Sequence, residues 1–387
     1  MENFETILHN SVSEIQSSNN LVKRLESGKK LVIKLGVDPT SPDLHLGHAV
    51  VLRKLKEFAD LGHKIVLIIG DFTALIGDPS GVNSTRPQLS EDDIDDNIKT
   101  YLHQVGKVLD LQKTKIVRNS EWLSKMSVKD YLQKYGMNIT MNTILEREDF
   151  KKRFADGQSV RFHEINYPIM QAIDSVELKA DVEVGGWDQK LNLLLARELQ
   201  KKMGQEPQDI IMIKLIRGTD GTRKMSKSYG NTIGLRDNPN LMFGKVMSIP
   251  DDLLEEYAEL AGNYNEEEIK ELKKLHPMEA KLDLAEKITQ IYWGEDAKKA
   301  RNAFEKTFRD KTPDEEVIQK VKISKKEIST VDLVVELTQE SRSQAMRLIE
   351  QGAVTIGDQK AGSSFDIVKI SKGTIVKVGR KSFFEII

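Results

Sequence analysis

The chain has 387 residues, of which 39% are hydrophobic and 30% charged, and its formal net charge is −2. Such a composition belongs to a soluble globular protein with room for two or three cores and excludes a disordered chain. The absence of cysteine removes disulfides, thiolate metal sites and a cysteine nucleophile. With no apolar run of about 18 residues and no targeting pattern at the N-terminus, the expectation is a cytoplasmic protein with no membrane partner.

Leu31 to Val37 is a short apolar run closed by Asp38-Pro39-Thr40, and a helix is predicted from about His45 to Leu61. Lys64 to Gly70 is continuously hydrophobic, as buried parallel strands are. Ser90 and Asp93 form a capping box ahead of Ile94, Ile98, Tyr101, Val105 and Leu109. Thr114 to Arg118, Asp181 to Val184 and Ile210 to Lys214 read as further strands. This alternation predicts an α/β fold, a doubly wound, parallel, Rossmann-like catalytic domain over residues 1–230. A helical insertion at about 120–160 interrupts it. Its Met126, Leu132, Met137, Ile139, Met141, Ile144 and Leu145 suit a subunit interface or ordinary core packing, and pattern alone leans to packing.

Beyond Thr232 only helical patterns follow, so residues 231–310 are predicted as an all-helical domain. Residues 311–330 are charged, carry Pro313 and read as a linker. Residues 331–387 read as a small α+β domain. From Val321 onward eleven Lys and Arg face eight Asp and Glu, so a basic tail follows an acidic body. That asymmetry fits an anionic partner or a merely solvated end.

Three local patterns carry chemistry. Leu44-His45-Leu46-Gly47-His48 follows Asp38-Pro39-Thr40 at a predicted helix start, where free N–H groups favour phosphate. Gly47 has no side chain, so a flat base could lie on the backbone. Lys224-Met225-Ser226-Lys227-Ser228 follows a strand and a glycine-rich turn, and its two lysines can close on a triphosphate. Tyr167, Gln171 and Asp174 stand at i, i+4 and i+7 on one helix face, a polar stripe that suits a lined pocket or a solvated surface equally. Gly185-Gly186-Trp187-Asp188-Gln189 closes a further strand, and alone it reads as a turn with a capping aspartate.

HLGH followed well downstream by KMSKS resembles the class I aminoacyl-tRNA synthetases. The run YPIMQAIDSV and the GGWDQ turn are similar to tyrosyl-tRNA synthetases, a resemblance that extends along nearly the whole chain. It implies tyrosine activation by ATP and transfer to tRNA(Tyr), with magnesium accompanying ATP, no zinc, a homodimer, and no DNA partner. By the same resemblance Thr40, His45, His48, Lys224 and Lys227 stabilise charge on the phosphates. Gly47, Gly186, Asp188, Lys224, Met225, Ser226 and Lys227 bind ATP. Asp38, Asp78, Tyr167, Gln171, Asp174 and Gln189 hold tyrosine or its adenylate, with Asp174 accepting the phenolic hydroxyl. The tail resembles a small RNA-binding module, in which Arg342 and Arg347 would meet tRNA phosphates.

Two positions depart from the family pattern: Lys34 stands where many members have a tyrosine, and Trp187 where a small hydroxyl residue is usual. Two other readings are a tryptophanyl synthetase, which needs no phenol acceptor, and a non-catalytic RNA-binding paralogue, which would have lost one of the signature motifs.

Overall fold

The computed structural model describes residues 7–77, 90–310, 318–323, 327–338, 341–357, 359–379 and 382–387. The chain forms two compact units, Met1–Arg236 with Ile249–Ala280, and Asp237–Ser248 with Lys281–Ile387. The boundary expected at 230/231 therefore lies elsewhere. Backbone hydrogen bonds from Leu46 to Ile233 and from Leu235 to Leu44 tie the segment after KMSKS into the first unit.

The first unit is built on a six-stranded sheet, β1 (Val12–Gln16), β2 (Val32–Val37), β3 (Lys64–Ile69), β4 (Thr114–Arg118), β5 (Val182–Gly186) and β6 (Asp209–Ile213). Its spatial order is β1-β6-β5-β2-β3-β4. The five strands β2 to β6 pair in parallel, in the order of a dinucleotide-binding fold. The direction of winding reverses between β2 and β5, where such sheets bind ligands beyond the strands' C-terminal ends. The sheet is mixed, not purely parallel, because β1 adds antiparallel to β6 at the edge. Its sequence, Val-Ser-Glu-Ile-Gln, is only half-buried, and so lacks the continuous apolar run that marks a central strand.

Four helices position the site: α1 (Leu46–Asp60), α2 (Glu91–Val105), α3 (Phe162–Leu178) and α4 (Lys190–Lys202). Helix α2 starts at the reciprocal Ser90–Asp93 box. In the insertion, Tyr135, Ile144 and Phe150 pack with Ile169, Ala172, Ile173 and Val176 of α3 and with Leu195, Ala196 and Leu199 of α4. The apolar set of the insertion therefore divides. Ile144 is core, and Met126, Ile139 and Leu145 pack partly buried against that core. Leu132, Met137 and Met141 are exposed.

In the second unit the rings of Phe243 and Phe304 meet at a tilt of 53° with centroids 5.4 Å apart, and Arg301 is held by Asp283, Glu286 and Glu305. The C-terminal part sets helices Thr330–Thr338 and Arg342–Glu350 with a five-stranded sheet. The expected linker needs correction here. Ile318–Val321 is a strand pairing in parallel with Ser382–Ile386, and Glu327–Ser329 pairs with Ile367–Lys369. Ile323 and Ile328 are buried in the same core as Val331, Val354 and Phe384. Their neighbours are charged, which hid two short strands inside a polar stretch. Residues 311–317 and 324–326 lie outside the described residues.

Candidate active site

Asp38 follows the last residue of β2 at the reversal point of the sheet. Tyr167 Oη donates to Asp38 Oδ2 at 2.8 Å, and Thr73 Oγ1 donates to Oδ1 at 2.8 Å. A Cβ on Gly70 would stand 2.0 Å from Asp38 Oδ1, so only glycine leaves room for this carboxylate. Asn119 Nδ2 donates to Thr73 Oγ1 at 3.1 Å and reaches Asp174 Oδ2 at 3.4 Å. Trp122 Nε1 donates to Asp174 Oδ1 at 2.8 Å. One hydrogen-bonded chain thus joins the two carboxylates, Asp38 to Thr73 to Asn119 to Asp174. Thr73, Asn119 and Trp122 escaped the sequence reading. Their only signal was position, just past the C-terminal ends of β3 and β4.

The polar stripe on α3 turns inward. Tyr167 is 7% and Asp174 4% exposed, and the helix is also apolar on its opposite side, as expected for one buried on both faces. Burial drives the Asp174 carboxyl up to about 7, with Glu183 pushing the same way and Lys34, Trp122 and Asn119 opposing. A carboxylate accepts a phenolic hydrogen bond better than a carboxylic acid does. A hydroxyl donor held by Asp174 is therefore expected to bind more tightly as pH climbs through about 7 and the carboxyl ionises. For the tyrosine that the resemblance implies, measuring KM between pH 6 and 8 checks this, and the pH dependence should vanish in Asp174→Asn.

The two imidazoles of HLGH lie against each other, ring centroids 4.0 Å apart and tilted by 51°. His45 is the N-cap of α1: its Nδ1 accepts from Gly47 N at 3.2 Å, and His48 Nδ1 accepts from His45 N at 3.2 Å. Both Nδ1 atoms being acceptors, each neutral ring carries its proton on Nε2. Burial depresses both, His48 to about 4, with Lys227 adding to the effect, so both are neutral donors near pH 7. A Cβ on Gly47 would lie 3.0 Å from the His45 ring. Within the chain, the missing side chain makes room for that cap.

The KMSKS segment reaches the same end of the sheet. Lys224 Nζ is 2.7 Å from Asp188 Oδ2, and Lys227 Nζ is 2.6 Å from Ser41 Oγ. Met225 is buried and Ser226 N donates to Asn231 Oδ1 at 2.8 Å. Gly218 lets Asn231 in, since a Cβ there would meet the amide at 2.1 Å. Gly186 does the same for Asp188, whose Oδ1 would be 2.7 Å from a Cβ. Thr40 N bonds Asp38 O at 2.8 Å, which folds the loop between β2 and HLGH. Gln189 Oε1 accepts from Asn192 Nδ2 at 2.8 Å.

Some residues fall elsewhere. Trp187 is exposed and packs outward, lining a groove with Ser13, Lys214, Leu215 and Arg217. Asp78 lies outside the described residues. Arg342 and Arg347 are exposed on one helix of the C-terminal part, where Arg342 pairs with Asp332. Among the described residues no group of three or more His, Cys, Asp or Glu could hold a metal ion. No helix among them is long and apolar enough to cross a membrane.

The tRNA synthetases class I (W and Y) family matches residues 26–309. A tyrosine–tRNA ligase of Aquifex aeolicus is 45% identical over 384 residues, covering 98% of this chain and 97% of the relative. One of Carboxydothermus hydrogenoformans is 48% identical over 398 residues, covering 98% and 97%. Among solved structures, tyrosyl-tRNA synthetase of Archaeoglobus fulgidus complexed with L-tyrosine superimposes with a TM-score of 0.63 at 22% identity, over 78% of this chain and 100% of that one. At that identity the likeness speaks for the fold. The parallel sheet with its reversal point, the HLGH and KMSKS segments gathered at one end, and near full-length relatives agree: this chain belongs to the class I tRNA synthetases (W and Y), and among them to the tyrosine–tRNA ligases.

Proposed function

We propose that the chain condenses L-tyrosine with ATP to tyrosyl adenylate and pyrophosphate, then transfers the tyrosyl group to the 3′ end of tRNA(Tyr). One observation carries the reading: Lys224 and Lys227 reach Asp188 and Ser41, at the same strand ends as Asp38. In the first step a tyrosine carboxylate oxygen attacks the α-phosphorus, and the bond to the pyrophosphate oxygen breaks. No side chain need act as nucleophile. The Nε2–H groups of His45 and His48 and the ammonium groups of Lys224 and Lys227 stabilise the charge that grows on the phosphates, with Thr40 beside them. Asp188 and Gly186 take the ribose, Gly47 the adenine side, and Met225 and Ser226 hold the lysine loop in register. Magnesium, entering with ATP, would offset part of the negative charge on the phosphates.

In the amino-acid pocket, Asp174 accepts the phenol while Tyr167, Gln171 and Asp78 hold the ammonium, with Asp38 nearby and Gln189 on the adenylate. ATP–pyrophosphate exchange run with each of the twenty amino acids separately tests the reading. Exchange with tyrosine alone is expected. Exchange with tryptophan instead would keep the fold and overturn the pocket, and none at all would leave an RNA-binding paralogue.

The exposed Leu132, Met137 and Met141, joined by Val128 and Phe162, support a homodimer built on the insertion. The exposed Arg342 and Arg347 support tRNA binding by the C-terminal part, and the domain scheme becomes a catalytic body, a helical segment and an RNA-binding tail that begins by Ile318. A cytoplasmic location fits the absence of cysteine.

A further inference from the structure

The middle of a parallel sheet is normally apolar, yet Lys34 and Glu183 stand opposite each other on β2 and β5, 0% and 1% exposed. Lys34 Nζ lies 3.0 Å from Glu183 Oε1 and 3.4 Å from the carbonyl oxygen of Gln171, and it also bonds Ser175 Oγ. Three acceptors take up the three ammonium protons, so Lys34 is not a second donor to the phenol. Glu183 in turn accepts from Ser175 Oγ at 3.0 Å, from Gln171 Nε2 at 3.3 Å and from Gln208 Nε2. A buried ion pair survives only when it is hydrogen-bonded in this way.

The consequence lies in Gln171. An ionised carboxylate only accepts, so Gln171 must turn its NH2 group to Glu183. Its Oε1 then stays on the other side, where Asn192 Nδ2 donates to it at 3.0 Å. We propose that the buried Lys34–Glu183 pair is a positioning device that locks the Gln171 amide with its oxygen toward the substrate's ammonium group, so that an α-amino acid is selected over its deaminated counterpart. The inference rests on the reading of Gln171 as an ammonium ligand. A rotated amide would oppose its own N–H donors to the ammonium. Lys34 is needed because its ammonium, 3.0 Å from Glu183 Oε1, fixes that oxygen as the acceptor that Gln171 Nε2 faces. Without that acceptor nothing obliges the NH2 group to face β5, and the amide is free to rotate.

The test uses Lys34→Met/Glu183→Leu, which removes both charges together and leaves neither uncompensated. Dissociation constants are measured by equilibrium dialysis for L-tyrosine and for 3-(4-hydroxyphenyl)propionate, which lacks the amine. Tyrosine is expected to lose about tenfold relative to the propionate, the worth of one charge-assisted hydrogen bond, since any effect of the lost charges on Asp174 falls on both phenols alike. Equal weakening of both ligands would mean loosened packing or a change at Asp174, not a turned amide, and would overturn the inference, as would no change in either. Wild-type protein that binds both equally would overturn it too. Should the double variant not fold, Glu183→Gln keeps the shape and removes the charge, and an unchanged ratio of the two constants there has the same meaning. Wild-type protein without tyrosine-dependent exchange would instead sink the parent reading.

Discussion

Replacing Asp174 by alanine is expected to lower kcat/KM for tyrosine in ATP–pyrophosphate exchange by about ten- to hundredfold, the range for losing a hydrogen bond to a charged partner. The rate with phenylalanine should change far less, so that discrimination between the two substrates shrinks by nearly the same factor. The effect comes from the satisfaction of buried polar groups. Asp174 is 4% exposed and already accepts from Trp122 at 2.8 Å. A phenol O–H can donate to the remaining lone pairs, whereas phenylalanine would leave them desolvated and unpaired. In Asp174→Ala that penalty against phenylalanine disappears together with the acceptor. The Trp122 and Asn119 donors are then orphaned, so a lower melting temperature should accompany the change. Unaltered tyrosine-to-phenylalanine selectivity in a folded Asp174→Ala enzyme would remove the phenol assignment.

Ending the chain after Asp310 should leave adenylate formation within about twofold and reduce charging of tRNA(Tyr) by about tenfold or more, the scale expected when a few phosphate contacts and a docking surface are lost. The cut belongs there and not at Val331. Ile318–Val321 is the edge strand of the C-terminal sheet, and Ile323 and Ile328 are part of its core. A chain stopping at 330 would keep two orphan strand segments with apolar side chains uncovered, a recipe for aggregation. Arg342→Ala and Arg347→Ala in the full chain should each weaken tRNA charging and flatten its salt dependence without touching exchange. Full charging by the 310-residue chain would refute a role for the tail.

The sequence by itself determined the parallel strands, the start of α2 and the chemical vocabulary of the site. Continuous apolar runs such as Lys64 to Gly70 have no stable home except a buried strand, and the Ser90–Asp93 box is local chemistry that needs no distant partner. HLGH and KMSKS were legible for the same reason, each being a short segment whose residues act together. Tertiary structure decided what depends on partners remote in the chain. Nothing in Asn119 or Thr73 announces that they bridge Asp38 and Asp174, and Lys34 stands in the sequence only as a departure from the family pattern, its partner Glu183 lying 149 positions on. The polar stripe on α3 could have faced water, and packing against the sheet turned it inward. The apolar residues of the insertion were split between core and surface by the same packing, and β1 and Ile318–Val321 became strands only because an exposed sheet edge offered unpaired hydrogen-bonding groups to a polar segment. Periodicity records which face is apolar, but which neighbours satisfy a buried charge or complete a sheet edge is settled only when the chain has closed on itself.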